Sequence, residues 1–209
     1  MHKVPPAPEG WSSRGYLPHF DGGMIPQAIT YRLASSLRAA MLARWRKNLS
    51  FLPAAEQEAT IRQQVESQLD RCREGALATP AVAAIVEENL LYFDSRRCRL
   101  HAWVIMPNHV HILATPSPGV ALAALVQGWK AYTAARANAV TGAKGRFWQP
   151  DYFDRFIRNE RHFRAARRYI EENPVKAGLC RRAEDWRWGS AWWRARPEVQ
   201  APERPKMRA

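Results

Sequence analysis

Residues 98–115 read CRLHAWVIMPNHVHILAT, and the period of this stretch decides the fold. Leu100, Ala102, Val104 and Met106 fall on one face of a predicted strand from Cys98 to Met106; Arg99, His101, Trp103 and Ile105 fall on the other. Pro107-Asn108 suits the centre of a tight turn, because proline presets φ and asparagine tolerates the left-handed region. His109 to Thr115 is then the return strand, and the pair is an antiparallel hairpin with a short connection. On that strand His109 and His111 project to the same side with Cα atoms roughly 6.6–7 Å apart. Two imidazoles at that spacing can lean on one divalent cation. Val110, Ile112 and Ala114 make an apolar opposite face that should meet helices. Two polar residues on a wetted strand would give the same pattern, so the pair gains meaning only from a third ligand and a nucleophile.

Upstream, Gln27 to Leu33 (QAITYRL) alternates as a first strand. Ile61, Val65, Leu69 and Cys72 recur at spacings of four, four and three, which predicts an amphipathic helix from about Pro53 to Arg73. Thr79-Pro80 is a cap followed by proline at the first helical position, opening a second helix to about Phe93. Downstream of Pro116 and Pro118, the residues Leu122, Leu125, Trp129 and Tyr132 mark a third helix. A basic, aromatic loop follows from Lys144 to Asn159 (KGRFWQPDYFDRFIRN). The next helix runs from about Glu160 to Asn173 and is expected to stop before Pro174. Residues 1–25, rich in proline and glycine, read as an extended arm; 26–194 as one catalytic-type domain; 195–209 as a disordered basic tail. The order of elements suggests an α+β fold with an antiparallel sheet.

A chain of 209 residues, 46% of them hydrophobic, suits one domain with a real core. Thirty-two Lys and Arg against 19 Asp and Glu leave a net charge of +13. A domain so basic repels itself unless a polyanion compensates, so nucleic acid is the leading partner. No run of about 18 apolar residues and no signal-peptide core points to a membrane. Cys72, Cys98 and Cys180 are too widely spaced for C-x-x-C chemistry and read as reduced thiols of a cytoplasmic protein.

The helix ERHFRAARRYIEENP supplies the missing partners. Phe163, Ala166 and Ile170 form its apolar stripe, and Tyr169 lies beside them in one row with Ala165 and Asn173. Flanking Arg164, Arg167 and Arg168 should favour the phenolate and hold phosphate. The plainer reading is an amphipathic tyrosine sealing the edge of the core.

MPNHVHIL from Met106, FWQPDYFDRFIRN from Phe147 and YIEENPVKAGL from Tyr169, in that order, resemble the single-tyrosine HUH transposases, and most closely the REP-associated tyrosine transposase branch. GYLPHFD near the N-terminus and WRWGSA from Trp186 resemble the same branch. The resemblance implies a ferredoxin-like antiparallel sheet with packed helices and a C-terminal tyrosine-bearing helix. It implies Mg²⁺ or Mn²⁺ held by His109 and His111, and attack on the DNA backbone by Tyr169. The residue four positions after the tyrosine completes the metal site in that family, often as glutamine; here it is the shorter Asn173. Two departures stand out: the Ala34–Ala78 segment is longer than the family's, and its Ser-Ser after tryptophan is Gly189-Ser190.

The expected activity is nicking and rejoining of single-stranded or hairpin DNA through a 5′-phosphotyrosine, in the cytoplasm at the nucleoid. Lys130, Arg136, Lys144, Arg146, Arg155, Arg158, Arg164 and Arg168 are candidate backbone clamps, and Trp148, Tyr152 and Phe153 candidate stacking platforms. Core packing is the alternative for the aromatics and a solvated face for the arginines. Two other readings stay open, a non-catalytic hairpin-binding module and a metal-dependent nuclease that uses water. The family contains dimers, while its REP-associated branch is able to act as a monomer, so both states are open.

Overall fold

The computed structural model describes residues 10–13, 18–37 and 39–199. The quoted hairpin is its centre. Strand β4 (Cys98–Ile105) turns through Pro107-Asn108, closed by the Met106 amide donating to the His109 carbonyl at 2.9 Å, into β5 (His109–Pro116). On β5's other side lies β3 (Gln27–Arg32), and beyond it β6 (Phe153–Phe156), which sits in the stretch expected to be loop. All three pairings are antiparallel and the order is β4-β5-β3-β6. Counting only these strands in chain order, that is 2-3-1-4, the ferredoxin-like arrangement. Among the described residues no single helix is long and apolar enough to cross a membrane.

One β-bulge modifies the sequence reading. Register shifts between Leu100 and Ala102, so Leu100 packs with Trp103 and Ile105 rather than with Ala102, Val104 and Met106. An extra residue in one strand reverses the alternation beyond it. The face bearing Val110, Ile112 and Ala114 packs under α3 (Pro80–Phe93) and α4 (Leu122–Thr141). Trp148 belongs to this core. It is 3% exposed, its indole nitrogen donates to the Thr133 hydroxyl at 2.9 Å, and its ring meets Tyr31 edge-on.

The opposite face carries α5 (Glu160–Lys176), whose Phe163, Ala166, Tyr169 and Ile170 pack on Ala102, Val104 and Leu113. The helix runs through Pro174 instead of ending before it. Pro174 is buried in the last turn, where the helix closes with Ala177 donating to the Asn173 carbonyl at 2.9 Å. Beside α5, the long Ala34–Ala78 segment folds as α1 (Ala39–Asn48) and α2 (Ala54–Arg71), a pair where one helix was expected. Leu37, Ile61, Val65 and Leu69 gather there with Phe153 of β6 in a small third core.

Just after α2, Gly75 has φ +154°, and a Cβ there would stand 2.1 Å from the Pro107 carbonyl oxygen. Leu77 donates its amide to that same carbonyl at 3.1 Å, so the chain grips the hairpin turn. Gly75→Ala is therefore expected to destabilise the chain by more than about 1 kcal/mol; an unchanged urea midpoint would refute the grip.

At the N-terminal end, β1 (Gly10–Ser13) pairs with β2 (Pro18–Asp21). The hairpin is pinned to β6 by His19, which is 5% exposed and lies 2.5 Å from Asp154 and 2.9 Å from Asp151. Residues 1–9 and 200–209, most of the expected tail, lie outside the described residues. Burial alone would lower the His19 pKa, but its bonds to Asp151 and Asp154, and their charges, push it up to about 9. The folded pKa thus exceeds the unfolded value of about 6.5. The clamp's contribution is full below that value and disappears as pH rises through 9. The stability gap between wild type and His19→Ala should shrink by on the order of 2 kcal/mol between pH 6 and pH 10, read by urea melts. A gap that ignores pH would mean that packing alone holds the hairpin.

Beyond α5, Trp186–Ala191 runs along the outer edge of β4. Ile105 donates its amide to the Trp188 carbonyl at 2.8 Å, and Gly189 bridges Val104. The short α6 (Ser190–Arg194) follows. Buried Glu87 of α3 anchors this segment by accepting from Arg187 at 2.8 Å and from the Trp193 indole at 2.7 Å.

Candidate active site

His109 and His111 point from β5 toward α2 and α5, opposite Arg32 and Thr30 of β3 in the ladder. Both rings are buried, at 0% and 3% exposure, and their Nε2 atoms lie 2.9 Å apart. Their Nδ1 atoms are already committed. Asn108 donates its Nδ2 to the Leu69 carbonyl of α2 at 3.3 Å, which turns Oδ1 toward His109 Nδ1 at 2.6 Å. An amide oxygen only accepts, so His109 carries its proton on Nδ1 and presents a lone pair at Nε2. The Thr30 hydroxyl, 2.7 Å from His111 Nδ1, can fix the same tautomer there.

Two lone pairs at 2.9 Å repel unless a proton or a cation lies between them. Burial pulls the His109 pKa down to about 4, with the His111 charge adding to the effect and Asp70 opposing it, so His109 is neutral at pH 7. Asp70 of α2 enters the same centre. Its Oδ1 is 3.5 Å from His109 Nε2 and 3.8 Å from His111 Nε2. Burial would raise the Asp70 pKa, but a proton or positive charge at either imidazole lowers it, and the net shift is downward. Asn173 of α5, 0% exposed, sets its Nδ2 3.4 Å from His111 Nε2. Among the described residues, Asp70 Oδ1 and Asn173 Oδ1 are both buried without a hydrogen-bond partner. Turning the Asn173 amide over brings its oxygen to the same point. Unprotonated imidazole nitrogens with two orphaned oxygens suit a divalent cation of the Mg²⁺ or Mn²⁺ kind. Ligand atoms of Asp70, His109 and His111 lie within 4.8 Å of one another, close enough to share it.

Tyr169 stands at the mouth of this centre. Its ring centroid is 5.5 Å from that of His111, and its hydroxyl donates to Asp70 Oδ2 at 3.3 Å. An opening of about 510 Å³ between α2 and α5 leads to it, edged by Glu66, Asp70, Arg71, Arg73 and Lys176. The expected electrostatics of the tyrosine are reversed. Burial raises its pKa, and the charges of Asp70 and Glu66 raise it further. Arg164 and Arg167 do not offset this, being paired along the helix with Glu160 and Glu171.

The other expected contacts are dispersed. Lys130 and Arg146 line a separate cleft of about 1000 Å³, where Lys130 donates to the Pro150 carbonyl at 2.7 Å. Burial draws the Lys130 pKa down to about 8. Arg136, Lys144, Arg155, Arg158, Arg164 and Arg168 are exposed, with Arg136 lying over the Tyr132 ring and Arg158 over Phe156. Trp148 and Tyr152 face inward, Tyr152 stacking on His19 at 4.2 Å, so neither ring offers a platform to a base in this conformation. Asp70, Arg71, Arg73 and Lys176 escaped the sequence reading. Nothing in α2 distinguishes Asp70 from its other acids except its place directly after the apolar stripe Ile61, Val65, Leu69.

Residues 77–173, which hold the hairpin and the tyrosine helix, match the family model "Transposase IS200 like". Over this span the chain is IS200-transposase-like. It is also 32% identical over 91 residues to the REP-associated tyrosine transposase of Escherichia coli K12, across 44% of this chain and 53% of that protein. The chain thus spans about half the length of that curated relative. A solved REP-associated tyrosine transposase bound to a REP hairpin shares the fold with a TM-score of 0.54, at 19% identity over 95% of this chain and 94% of the other. His109, His111, Tyr169 and Asn173 all lie within the IS200-like span; Asp70, Arg71 and Arg73 lie just before it.

Proposed function

We propose that this chain cuts and rejoins single-stranded DNA beside hairpins through a 5′-phosphotyrosine on Tyr169, acting on nucleoid DNA in the cytoplasm. The observation that carries this reading is the meeting of a tyrosine hydroxyl with a buried cluster of cation-binding atoms in one opening. The IS200-like span and the hairpin-bound structural relative support it.

His109, His111 and Asn173 would hold Mg²⁺ or Mn²⁺, which when bound would supply Lewis-acid polarisation of a phosphate. Arg71, Arg73 and Lys176 edge the same opening and suit the neighbouring phosphates. The Tyr169 oxygen attacks phosphorus and gives up its proton, the bond from phosphorus to O3′ breaks, and O3′ takes up a proton from water to leave as a hydroxyl, so the proton count is unchanged overall. Asp70 Oδ2 faces the departing tyrosine proton. The phosphodiester energy is kept in the tyrosine ester, so a 3′-hydroxyl can reverse the step without ATP.

The test is incubation of the chain with a panel of hairpin-bearing single strands and Mn²⁺, then denaturing electrophoresis. A slow-migrating covalent adduct is expected. Cleavage without an adduct would favour a nuclease that uses water, and tight binding without cleavage a non-catalytic hairpin-binding module.

A further inference from the structure

We infer that Asp70 is the anionic ligand of the cation and, through its second oxygen, the residue that positions Tyr169. The inference rests on the metal-dependent reading above, but it concerns a helix outside the IS200-like span. Without Asp70 the centre holds only neutral donors, two imidazoles and an amide. Hard divalent cations are usually bound with at least one carboxylate. Among the described residues, Asp70 is the one carboxylate grouped with His109 and His111.

The geometry divides the work between its oxygens. Oδ1 is buried, meets no hydrogen-bond donor among the described residues, and faces both Nε2 atoms at 3.5 and 3.8 Å. A buried carboxylate oxygen left without a partner is unfavourable, and a shared cation would remove that cost. Oδ2 accepts from the Tyr169 hydroxyl. One carboxylate therefore spans from the cation to the nucleophile. The same end of α2 also sets the histidines, because the Leu69 carbonyl orients Asn108 and Asn108 fixes the His109 tautomer. Two consecutive residues of α2, Leu69 by its backbone and Asp70 by its side chain, thus prepare the centre.

The test is calorimetric titration of Mn²⁺ into the full chain without DNA, with circular dichroism confirming that each variant is folded. Asp70→Asn keeps the shape and removes the charge. It should weaken Mn²⁺ at least about tenfold, the lower end of what even outer partners of a metal site contribute. Asp70→Glu should recover part of that loss, and Tyr169→Phe should leave the affinity within about threefold of wild type, since it spares both oxygens. In adduct formation, the Mn²⁺ concentration giving half the maximal rate should rise in Asp70→Asn and fall back in Asp70→Glu. Mn²⁺ binding by Asp70→Asn within twofold of wild type would overturn the inference, as would a wild type that binds none. Normal adduct formation beside unaltered Mn²⁺ binding in Asp70→Asn would sink the inference and leave the nicking reading standing. Asp70-dependent Mn²⁺ binding without any adduct would do the reverse.

Discussion

Tyr169→Phe is expected to abolish the covalent adduct while the chain still folds and still binds hairpin DNA. The substitution deletes one oxygen, whose hydrogen bond to Asp70 is a long one at 3.3 Å. Losing such a bond costs roughly 0.5–1.5 kcal/mol of stability at most. The ring keeps its packing beside Ile170 and Phe163 and its edge-on contact with His111. The chemical loss is of another order. Without the nucleophile no ester can form, and the rate should fall by at least about 10⁴-fold, the scale on which covalent catalysis collapses. Tyr152→Phe is the matched control. Tyr152 is buried and stacked on His19 in the N-terminal clamp, on the far side of β3 from β5. An adduct that survives Tyr169→Phe and vanishes in Tyr152→Phe would move the nucleophile to Tyr152.

His109→Ala/His111→Ala should remove measurable Mn²⁺ binding and, with it, nicking. Both Nε2 lone pairs go, leaving Asp70 and Asn173 as oxygen donors from two different helices. Two such ligands hold Mn²⁺ weakly, so a loss beyond about 100-fold is expected, past the range assigned to outer partners. His101→Ala is the control on the same hairpin. That ring bonds Thr115 at 2.8 Å and meets Phe163 at 5.0 Å, and it has no part in the Asp70–His109–His111 group. Undiminished Mn²⁺ binding in the double variant would place the cation elsewhere and remove the basis of the mechanism.

Local patterns carried most of the fold. The alternation around Pro107-Asn108, the four-residue recurrence in α2 and Pro80 at the first helical position each express one element's own geometry, and each element is present, although the Thr79 side chain makes no capping bond. What escaped depends on distant partners. The Leu100/Ala102 bulge is a property of pairing with β5, which no alternation within β4 reveals. Strand β6 is four residues long and exists through its pairing with β3, so its aromatic and basic residues read as loop. Pro174 is accommodated near the end of the helix, where its ring is buried and the bond its N–H would have given to the Ile170 carbonyl is forgone.

The site divides in the same way. The His109/His111 spacing and the Tyr169/Asn173 row are local, and the structure brings these four side chains together. Asp70 comes from 39 residues upstream of His109, and only tertiary packing shows that it arrives there. The environment of Tyr169 was misjudged for the same reason. Its sequence neighbours are arginines, but its spatial neighbours across the helix gap are Asp70 and Glu66. The aromatic residues of the 144–159 stretch looked alike in sequence, yet Trp148 completes the core and Tyr152 the clamp.

The strap formed by Trp186–Ala191 bears on how copies of this chain can meet. An open strand edge is a template on which a second chain can polymerise or exchange strands. Here Val104 and Ile105 at that edge already spend their main-chain groups on Gly189 and Trp188, and Glu87 ties the strap down through Arg187 and Trp193. Growth of one continuous sheet across two molecules is therefore blocked at that end of β4. A second copy that approached at that end of β4 would meet side chains there instead.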